Sequence, residues 1–545
     1  MARFPNKNLE NTTSSGPESN QAENPASQVF GHRFYKDQTP IEYLAEFLLV
    51  FASPKDEDNL SAYSFPLYPS LPSELTYRPR FKLALKLFSF LGASKLETRH
   101  QCHIKAFRDG SSELGNRIAP GSKISRNDGV RLIQGVFSGF VGVAGDRTWT
   151  AHTFLPASES LLAREILWRH GGSNGATKKP NLTWQEALAP TTNEDGFFRT
   201  DAHSFMARGG ELLYLQLANL FNTHATKSLG DLFSGEIAKF YKHLDNFAQV
   251  DHLRQSLQQL LTKVLRESDE TIGILSKFVS DAFEDAEVDS ERPSKPAILG
   301  WAPTESATEA SLFAWEIDNI CKAQRSGLQK LSLMKDLCVL HVMRSLCFQS
   351  ARITNMFKTQ NFIGDYAWIV SPPGDQSSDN LKKLAINSYV EVENLLYESL
   401  RAYDSYESTA PRSDKSAYET WLNRGDDNVV RLFRKIGKQI GMIVPRTGHG
   451  MRITLPAHIV RLLVAALIPP GKKIRLDSFY ERIFAHYGLA INQEMIQQVL
   501  TCSRTQEGVN AFGIDSSWFE EELRRGGYLV PLSDAVALVL NPYKE

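Results

Sequence analysis

Residues 426–441 of the chain read DDNVVRLFRKIGKQIG, and this segment decides our interpretation of the C-terminal fold. Its apolar residues recur at helical spacing and form one continuous stripe, made of Val429, Leu432, Phe433, Ile436 and Ile440. The spacing predicts an amphipathic helix that is capped by Asp426 and Asp427 and ends at Gly441. The opposite side carries a basic stripe of Arg431, Arg434, Lys435 and Lys438.

Helices and short strands alternate after this segment. Glycines at 448 and 450 separate two apolar stretches, 442–444 and 452–455, and so predict a β-hairpin. The patterns that follow predict helices at 458–467, 478–487, 493–500 and 517–525, a short strand at 472–476, and a terminal hairpin of 528–532 and 535–540. This order of elements resembles a winged helix. Residues 426–545 are therefore predicted to form a winged-helix-like α+β module.

The preceding residues are predicted to form a multi-domain helical body, so the whole chain belongs to the mainly α class with minor β-structure. Apolar residues at helical spacing dominate 211–286, 305–360 and 378–404, and Thr39-Pro40 predicts the start of an earlier helix. Composition then divides the chain into a disordered tail at 1–29, a mixed domain at 30–180, helical domains at 181–292 and 293–404, a linker at 405–425 and the C-terminal module.

The charge of the chain is nearly balanced overall but is strongly uneven along its length. The chain has 61 basic and 62 acidic residues, so an electrostatic partner must be recognised locally. Residues 428–482 contain eleven Lys or Arg residues and only two acids, which gives a local charge of +9. Nucleic acid, and possible DNA in particular, is the first partner that this asymmetry predicts, because basic surfaces bind phosphate backbones. An acidic protein partner and a merely solvated face remain open.

The predicted nucleic-acid contacts lie on the basic helix, the first hairpin and the short strand. They are Arg431, Arg434, Lys435, Lys438, Arg446, Arg452, Lys472, Lys473 and Arg475. In winged-helix proteins the helix before the wing usually enters the major groove, but here that helix carries Glu520, Glu521 and Glu522. We therefore expect it to be a poor reader of bases.

No catalytic, cofactor or metal motif with the required spacing occurs in the chain. Residues 171–179 are rich in glycine and lysine but lack the spacing of a phosphate-binding loop, and His100, Cys102 and His103 lack the second ligand pair of a zinc site. We therefore predict a protein without cofactor or metal that is not an enzyme. An enzyme of unrecognised type stays an alternative, with His203 and His100 as the first residues to test.

Two further clusters have ordinary explanations. Asp201 and Ser204 can cap the helix that follows them, and the acidic residues of 267–291 are explained by a solvated or docking surface.

Five widely spaced cysteines do not suggest a disulfide framework, and neither a signal peptide nor an apolar run of 18 residues is found. These features predict a cytoplasmic protein that makes no membrane contact.

A resemblance to a known class of proteins begins at residues 30–40, FGHRFYKDQTP, and extends to the overall profile of the chain. In these respects the chain is similar to accessory proteins of bacterial anti-phage defence islands, of which Druantia-type systems are an example. The resemblance implies a non-catalytic accessory subunit whose partners are other subunits of the same system, including an ATP-driven, helicase-like enzyme. It assigns no functional residue. A protein–protein scaffold or regulator without nucleic-acid contact is the alternative.

Overall fold

The structure is a computed structural model. It describes residues 2–5, 25–31, 38–55, 61–79, 114–118, 123–138, 155–162, 209–245, 247–267, 296–354, 362–374, 378–402, 413–503, 513–533 and 536–545, together with a few short stretches between them. The described fold is mainly helical with small sheets, which confirms the predicted fold class at this level.

The body consists of helices joined by short strands and 3₁₀ turns. Its α-helices are α1 (Pro25–Phe30), α2 (Pro40–Ala52), α3 (Arg126–Ser138), α4 (Gly209–His224), α5 (Val250–Arg266), α6 (Ala307–Lys322), α7 (Gly327–Thr354) and α8 (Asp379–Ser399). A 3₁₀ helix, Gly235–Leu244, lies between α4 and α5. The helix predicted from Thr39-Pro40 is confirmed, and the Thr39 amide donates to Glu42 Oε2 at 2.6 Å as expected of a capping box.

Helices α2, α6 and α7 form the centre of the body. Nearly every residue of α7 from Leu331 to Ala351 is buried, so this helix must satisfy its polar side chains inside the protein. Helix α2 packs closely on α4 at Gly210, where a Cβ atom would lie 2.3 Å from the Tyr43 carbonyl oxygen. A larger residue at 210 would therefore push these two helices apart.

The C-terminal part contains the elements that the sequence pattern predicts. Its helices are α9 (Lys415–Asp426), a π-helical turn (Asp427–Arg431), α10 (Leu432–Gln439), α11 (Ala457–Leu467), α12 (Leu476–Tyr487), α13 (Gln493–Cys502) and α14 (Ser517–Arg525). A left-handed Gly441, with a φ of 72°, follows α10 and confirms its predicted end. The predicted hairpins and the strand near 472–476 are also present.

The described strands form six small sheets. They are β1 (Arg3–Phe4), β2 (Thr76–Tyr77), β3 (Phe81–Lys82), β4 (Arg164–Glu165), β5 (Leu167–Trp168), β6 (Phe198–Arg199), β7 (Ala297–Ile298), β8 (Ala302–Pro303), β9 (Trp368–Ser371), β10 (Ile443–Val444), β11 (Arg452–Thr454), β12 (Lys473–Arg475), β13 (Leu489–Ala490), β14 (Leu529–Ser533) and β15 (Val536–Leu540). Two of these sheets, with orders β10-β11-β9-β13 and β12-β15-β14, organise the C-terminal part.

Strand β9 of the body lies at the centre of the four-stranded sheet. It pairs in parallel with β11 on one side and with β13 on the other. A single buried apolar cluster accordingly includes residues from Phe4 to Val539. Buried apolar residues on both sides of 292/293 and of 405–425 thus belong to one cluster.

Two segments that the sequence predicts as a linker and a tail contain regular structure. The linker at 405–425 contains the first eleven residues of α9, which continues through the π-helical turn into α10, so Asp426 and Asp427 lie within a helix instead of capping one. The tail at 1–29 is ordered at both ends, because β1 pairs with β8 and α1 is buried against α9. Both segments have polar sequences, but each pairs or packs with an element that is distant along the chain.

Candidate functional site

The predicted nucleic-acid contacts are spread over three places in the structure. They lie on α10 and its preceding turn, on the β10–β11 hairpin, and at β12, which belongs to a different sheet. The exposed residues of this set include Arg446, Lys472, Lys473 and Arg475. Lys435 and Lys438 are half-buried. The exposed cations therefore cluster mainly at β12.

Three arginines of the predicted set have partners within the protein. Arg452 is only 8% exposed and donates to Ser371 Oγ at 3.1 Å, so its guanidinium is used within the fold. Arg434 forms a bidentate ion pair with Glu393 of α8, at 2.5 and 2.6 Å. Arg431 contacts Asp427 at 2.9 Å but stays largely exposed. Sequence counting found these charges but could not show which ones the fold uses internally.

The acidic helix α14 contains its own counter-charges. Glu521 pairs with Arg524 and Arg525, and Glu522 pairs with Arg525. These pairs are exposed ion pairs within one helix, each of which contributes little to stability. The three glutamates near the start of the helix remain a poor surface for DNA, as the sequence indicated.

A second group of charges is buried beneath the C-terminal part. Glu316 of α6 receives a bidentate ion pair from Arg344 of α7, with distances of 2.7 and 2.9 Å. The same carboxylate contacts His486 Nδ1 of α12 at 2.7 Å. All three side chains are at most 1% exposed. The contacts join two helices of the body to one helix of the C-terminal part.

The network extends in both directions from this centre. Arg344 Nη2 lies 2.9 Å from His341 Nδ1, and His341 Nε2 lies 2.9 Å from Gln216 Oε1. Because Arg344 can only donate and Gln216 Oε1 can only accept, His341 is neutral with its proton on Nε2. On the other side, His486 Nε2 lies 2.8 Å from His243 Nε2 in the 3₁₀ helix. One N–H proton between these rings completes the chain of hydrogen bonds.

The protonation of the network follows from burial and from the two arginines near it. Burial lowers the pKa of His341 and of His243 well below the ordinary histidine value, and neighbouring positive charge acts in the same direction. Burial also lowers the pKa of His486 despite its hydrogen bond to Glu316. Burial alone would raise the pKa of Glu316, but Arg344 and His486 hold it below its ordinary value. At neutral pH the network therefore holds one carboxylate, one guanidinium and neutral imidazoles.

A pocket of about 450 Å³ opens beside His243. Its wall includes Trp315, Asp318 and Lys322 of α6, Arg482 of α12, and Lys472 immediately before β12. No serine, threonine or cysteine is among the described residues that line it, so the described wall offers no hydroxyl or thiol nucleophile. The charged and polar side chains of the wall are suited to binding a polar ligand next to His243.

The sequence contains one signal for this buried network. Glu316 and Arg344 each interrupt a locally apolar stretch of a helix, at 312–317 and 337–348, and charges at such positions require partners when they are buried. Their identity could not be read from spacing, since His486 lies 170 residues from Glu316. Cys338 and Cys347 are also buried in α7, the helix that carries Arg344.

Several sequence candidates lie outside the described residues. They are His100–His103, the glycine-rich segment 171–179, Asp201, His203 and Ser204, and the acidic residues from 284 to 291. Within the described part of the chain, no group of three or more His, Cys, Asp or Glu side chains is arranged to hold a metal ion. A search of the same residues found no helix with the length and apolar character needed to cross a lipid bilayer.

Comparisons of the chain with protein-family models, with curated proteins and with solved structures found no match. The function must therefore be argued from the residues and geometry described above.

Proposed function

We propose that the protein is a non-catalytic accessory subunit of a bacterial anti-phage defence system that contacts nucleic acid through its C-terminal part. Its partners are other subunits of that system in the cytoplasm, including an ATP-driven, helicase-like enzyme. The place in phage defence is supported by the sequence resemblance at residues 30–40 and by the overall profile of the chain. The contact with nucleic acid is supported by the charges described below.

The observation that carries the nucleic-acid proposal is the cluster of cations at β12. Lys472, Lys473 and Arg475 are exposed on or beside an edge strand, and Lys473 and Arg475 project from the same side of it. Among the described residues, Arg475 forms an ion pair only with its near neighbour Asp477, at 3.3 Å and with both side chains mostly exposed. Such a pair is weak in water, so a phosphate can replace the carboxylate at small cost. We call these three residues the β12 basic cluster.

The order of elements supports a winged-helix-like interpretation of this region. Helix α11, strand β12, helix α12, strand β13, helices α13 and α14 and the β14–β15 hairpin follow one another, and β15 lies between β12 and β14. Apart from β13 and one additional helix, this succession of helices, one strand and a terminal hairpin is similar to that of a winged helix. In the proposed arrangement, the β12 basic cluster and the β14–β15 hairpin contact the phosphate backbone, whereas the acidic α14 does not read bases.

Charge reversal of the β12 basic cluster tests the proposal. The variant K472E/K473E/R475E should bind a fluorescent DNA duplex at least tenfold more weakly than the wild type in an anisotropy titration, since each residue loses an attraction and gains a repulsion. The matched control R131E/K239E/K263E changes the net charge equally at exposed positions of the body. Equal losses in both variants, or no loss in either, would show that the cluster is not the interface.

A protein–protein scaffold without nucleic-acid contact is the second candidate, because one observation favours it. Leu532 and Val530, on the edge strand β14, are 61% and 37% exposed. Exposed apolar side chains on an unpaired strand edge are typical of surfaces that contact other proteins. This function predicts partner binding that is insensitive to salt and is lost in L532S, together with no affinity for DNA.

A further inference from the structure

Arg482 of α12 carries a positive charge that the fold has largely removed from water. Its Nη1 donates to the Leu467 carbonyl oxygen at 2.8 Å, but no carboxylate of the described residues forms an ion pair with it. Burial lowers the pKa of this guanidinium to about 10, although Glu481 nearby acts in the opposite direction. The group stays protonated at neutral pH. A half-buried cation that forms no ion pair is costly to desolvate, and binding a ligand anion would offset this cost.

The same pocket contains a second cation without a close carboxylate. Lys472 lies at the pocket wall and is exposed to solvent. Lys322, by contrast, is committed to Asp318 at 2.7 Å and lies over the Phe247 ring at 4.7 Å. The charges of Lys322 and Asp318 offset each other, which leaves Arg482 and Lys472 as the groups that face an incoming anion. Glu545 also lines the pocket and adds negative charge to its wall, but among the described residues it forms no ion pair with Arg482 or Lys472.

We infer that this pocket binds the phosphate group of a small phosphorylated molecule, with Arg482 as the main ligand of the phosphate and Lys472 as the second. A guanidinium presents several N–H donors in one plane and can hold two phosphate oxygens at once. The volume of about 450 Å³ exceeds that of a phosphate alone and suits a molecule the size of a nucleoside monophosphate.

His243 couples the bound phosphate to the buried network. It lines the pocket, and Arg482 is near enough to disfavour a positive charge on its ring. A phosphate dianion between the two groups would offset that repulsion and favour proton uptake by the His243–His486 pair. The site therefore adds a ligand-binding function to the chain that does not depend on contact with nucleic acid.

Isothermal titration calorimetry of the full chain tests this inference. The probes are inorganic phosphate, pyrophosphate and AMP, with adenosine as the uncharged control. We expect saturable binding of at least one phosphate probe at one site, no binding of adenosine, and an affinity at least tenfold lower in R482Q. R475Q is the matched control, because Arg475 carries the same charge at β12 but does not line the pocket. Absence of saturable binding by all three phosphate probes, or equal affinity in R482Q and wild type, overturns the inference.

Thermal melting separates ligand binding from a structural role of Arg482. Without ligand, R482Q should melt at or above the wild-type temperature, because the substitution removes a charge without a counter-ion. R482K keeps the charge and should retain part of the phosphate affinity. If R482Q melts several degrees lower and R482K restores the melting temperature without restoring phosphate binding, Arg482 is structural and the inference fails.

The pocket and the proposed nucleic-acid surface can fail independently. R482Q should bind the DNA duplex as the wild type does, whereas R475Q should weaken DNA binding and leave the phosphate affinity unchanged. A terminal phosphate of a polynucleotide is the other source of the same ligand chemistry. If a 5′-phosphorylated oligonucleotide competes with AMP and its unphosphorylated form does not, while R482Q abolishes the competition, the pocket also accepts strand ends. If the unphosphorylated form competes equally, the site does not recognise phosphate as inferred.

Discussion

The β12 basic cluster and the buried Glu316–Arg344–His486 network are built from charged side chains of one half of the chain, yet their surroundings differ completely. In the buried network each charged group has partners at hydrogen-bond distance, with Arg344 and His486 both directed at Glu316. In the β12 basic cluster the side chains are exposed, and among the described residues only Arg475 forms an ion pair, with Asp477. Buried charges with matched partners stabilise one specific structure, whereas exposed charges remain available to a binding partner.

The largest effect should come from breaking the buried network. We expect E316Q to lower the free energy of unfolding by about 3–5 kcal/mol, because Arg344 would stay buried without its counter-ion. Urea denaturation followed by circular dichroism measures the loss. The double variant E316Q/R344M should be less destabilised than E316Q. If E316Q alone changes stability by less than about 1 kcal/mol, the ion pair does not hold the two regions together.

Acid should weaken the same network. His341, His243 and His486 have folded-state pKa values below the ordinary one, so the unfolded chain takes up their protons first and stability falls as the pH drops below about 6.5. Each histidine contributes a slope of up to about 1.4 kcal/mol per pH unit until its folded pKa is reached. The lowered pKa of Glu316 adds a further loss below its unfolded value near 4.5.

Denaturation between pH 7.5 and 5 gives this slope directly. A variant such as H341Q, which removes one of the titrating groups, should show a smaller slope. A slope that is unchanged in H341Q would mean that the histidine is not held neutral by the fold.

The half-buried pair of Arg434 and Glu393 should give an intermediate effect. E393Q removes one carboxylate charge but keeps a hydrogen-bonding side chain, and we expect a loss of about 1–2 kcal/mol. The substitution also leaves Arg434 without its ion pair at the side of α10. If the α10 basic stripe belongs to the nucleic-acid surface, E393Q should increase DNA affinity in the anisotropy titration. Unchanged affinity would restrict the surface to the β12 basic cluster.

The smallest effect is expected at the exposed pair of Arg431 and Asp427. Arg431 is 69% exposed, so D427N should change the free energy of unfolding by less than about 0.5 kcal/mol. Denaturation in low and high salt would show whether even this small difference is screened. A loss as large as that of E393Q would contradict the assignment of this pair to the solvated surface.

The local elements of the C-terminal part could be predicted because their signals are local. Apolar spacing gave α10, α11 and α12, and glycine gave the end of α10 and the turn between β10 and β11. Such signals depend on residues within one or two turns of each other. They can therefore be recognised without knowledge of the tertiary fold.

Long-range pairing could not be predicted in the same way. Strand β9 joins the body to β11 and β13 across intervals of about 80 and 120 residues, and no periodicity marks the partners. The burial of Arg452 depends on this pairing, since Ser371 at the end of β9 receives its hydrogen bond. Helix α1 and strand β1 are likewise ordered by contacts with residues far along the chain. Where the partner of a segment lies far along the chain, composition alone predicts less regular structure than the segment has.

The salt dependence of DNA affinity is the most direct test of the claim that exposed charges bind while buried charges stabilise. The variant K472Q/K473Q/R475Q replaces the three cations of the cluster by neutral side chains. Its slope of log affinity against log salt should be about 2–3 units shallower than the wild-type slope, because about 0.9 units are lost with each phosphate contact. R482Q should keep the wild-type slope. Equal slopes in the wild type and the triple variant would contradict the account.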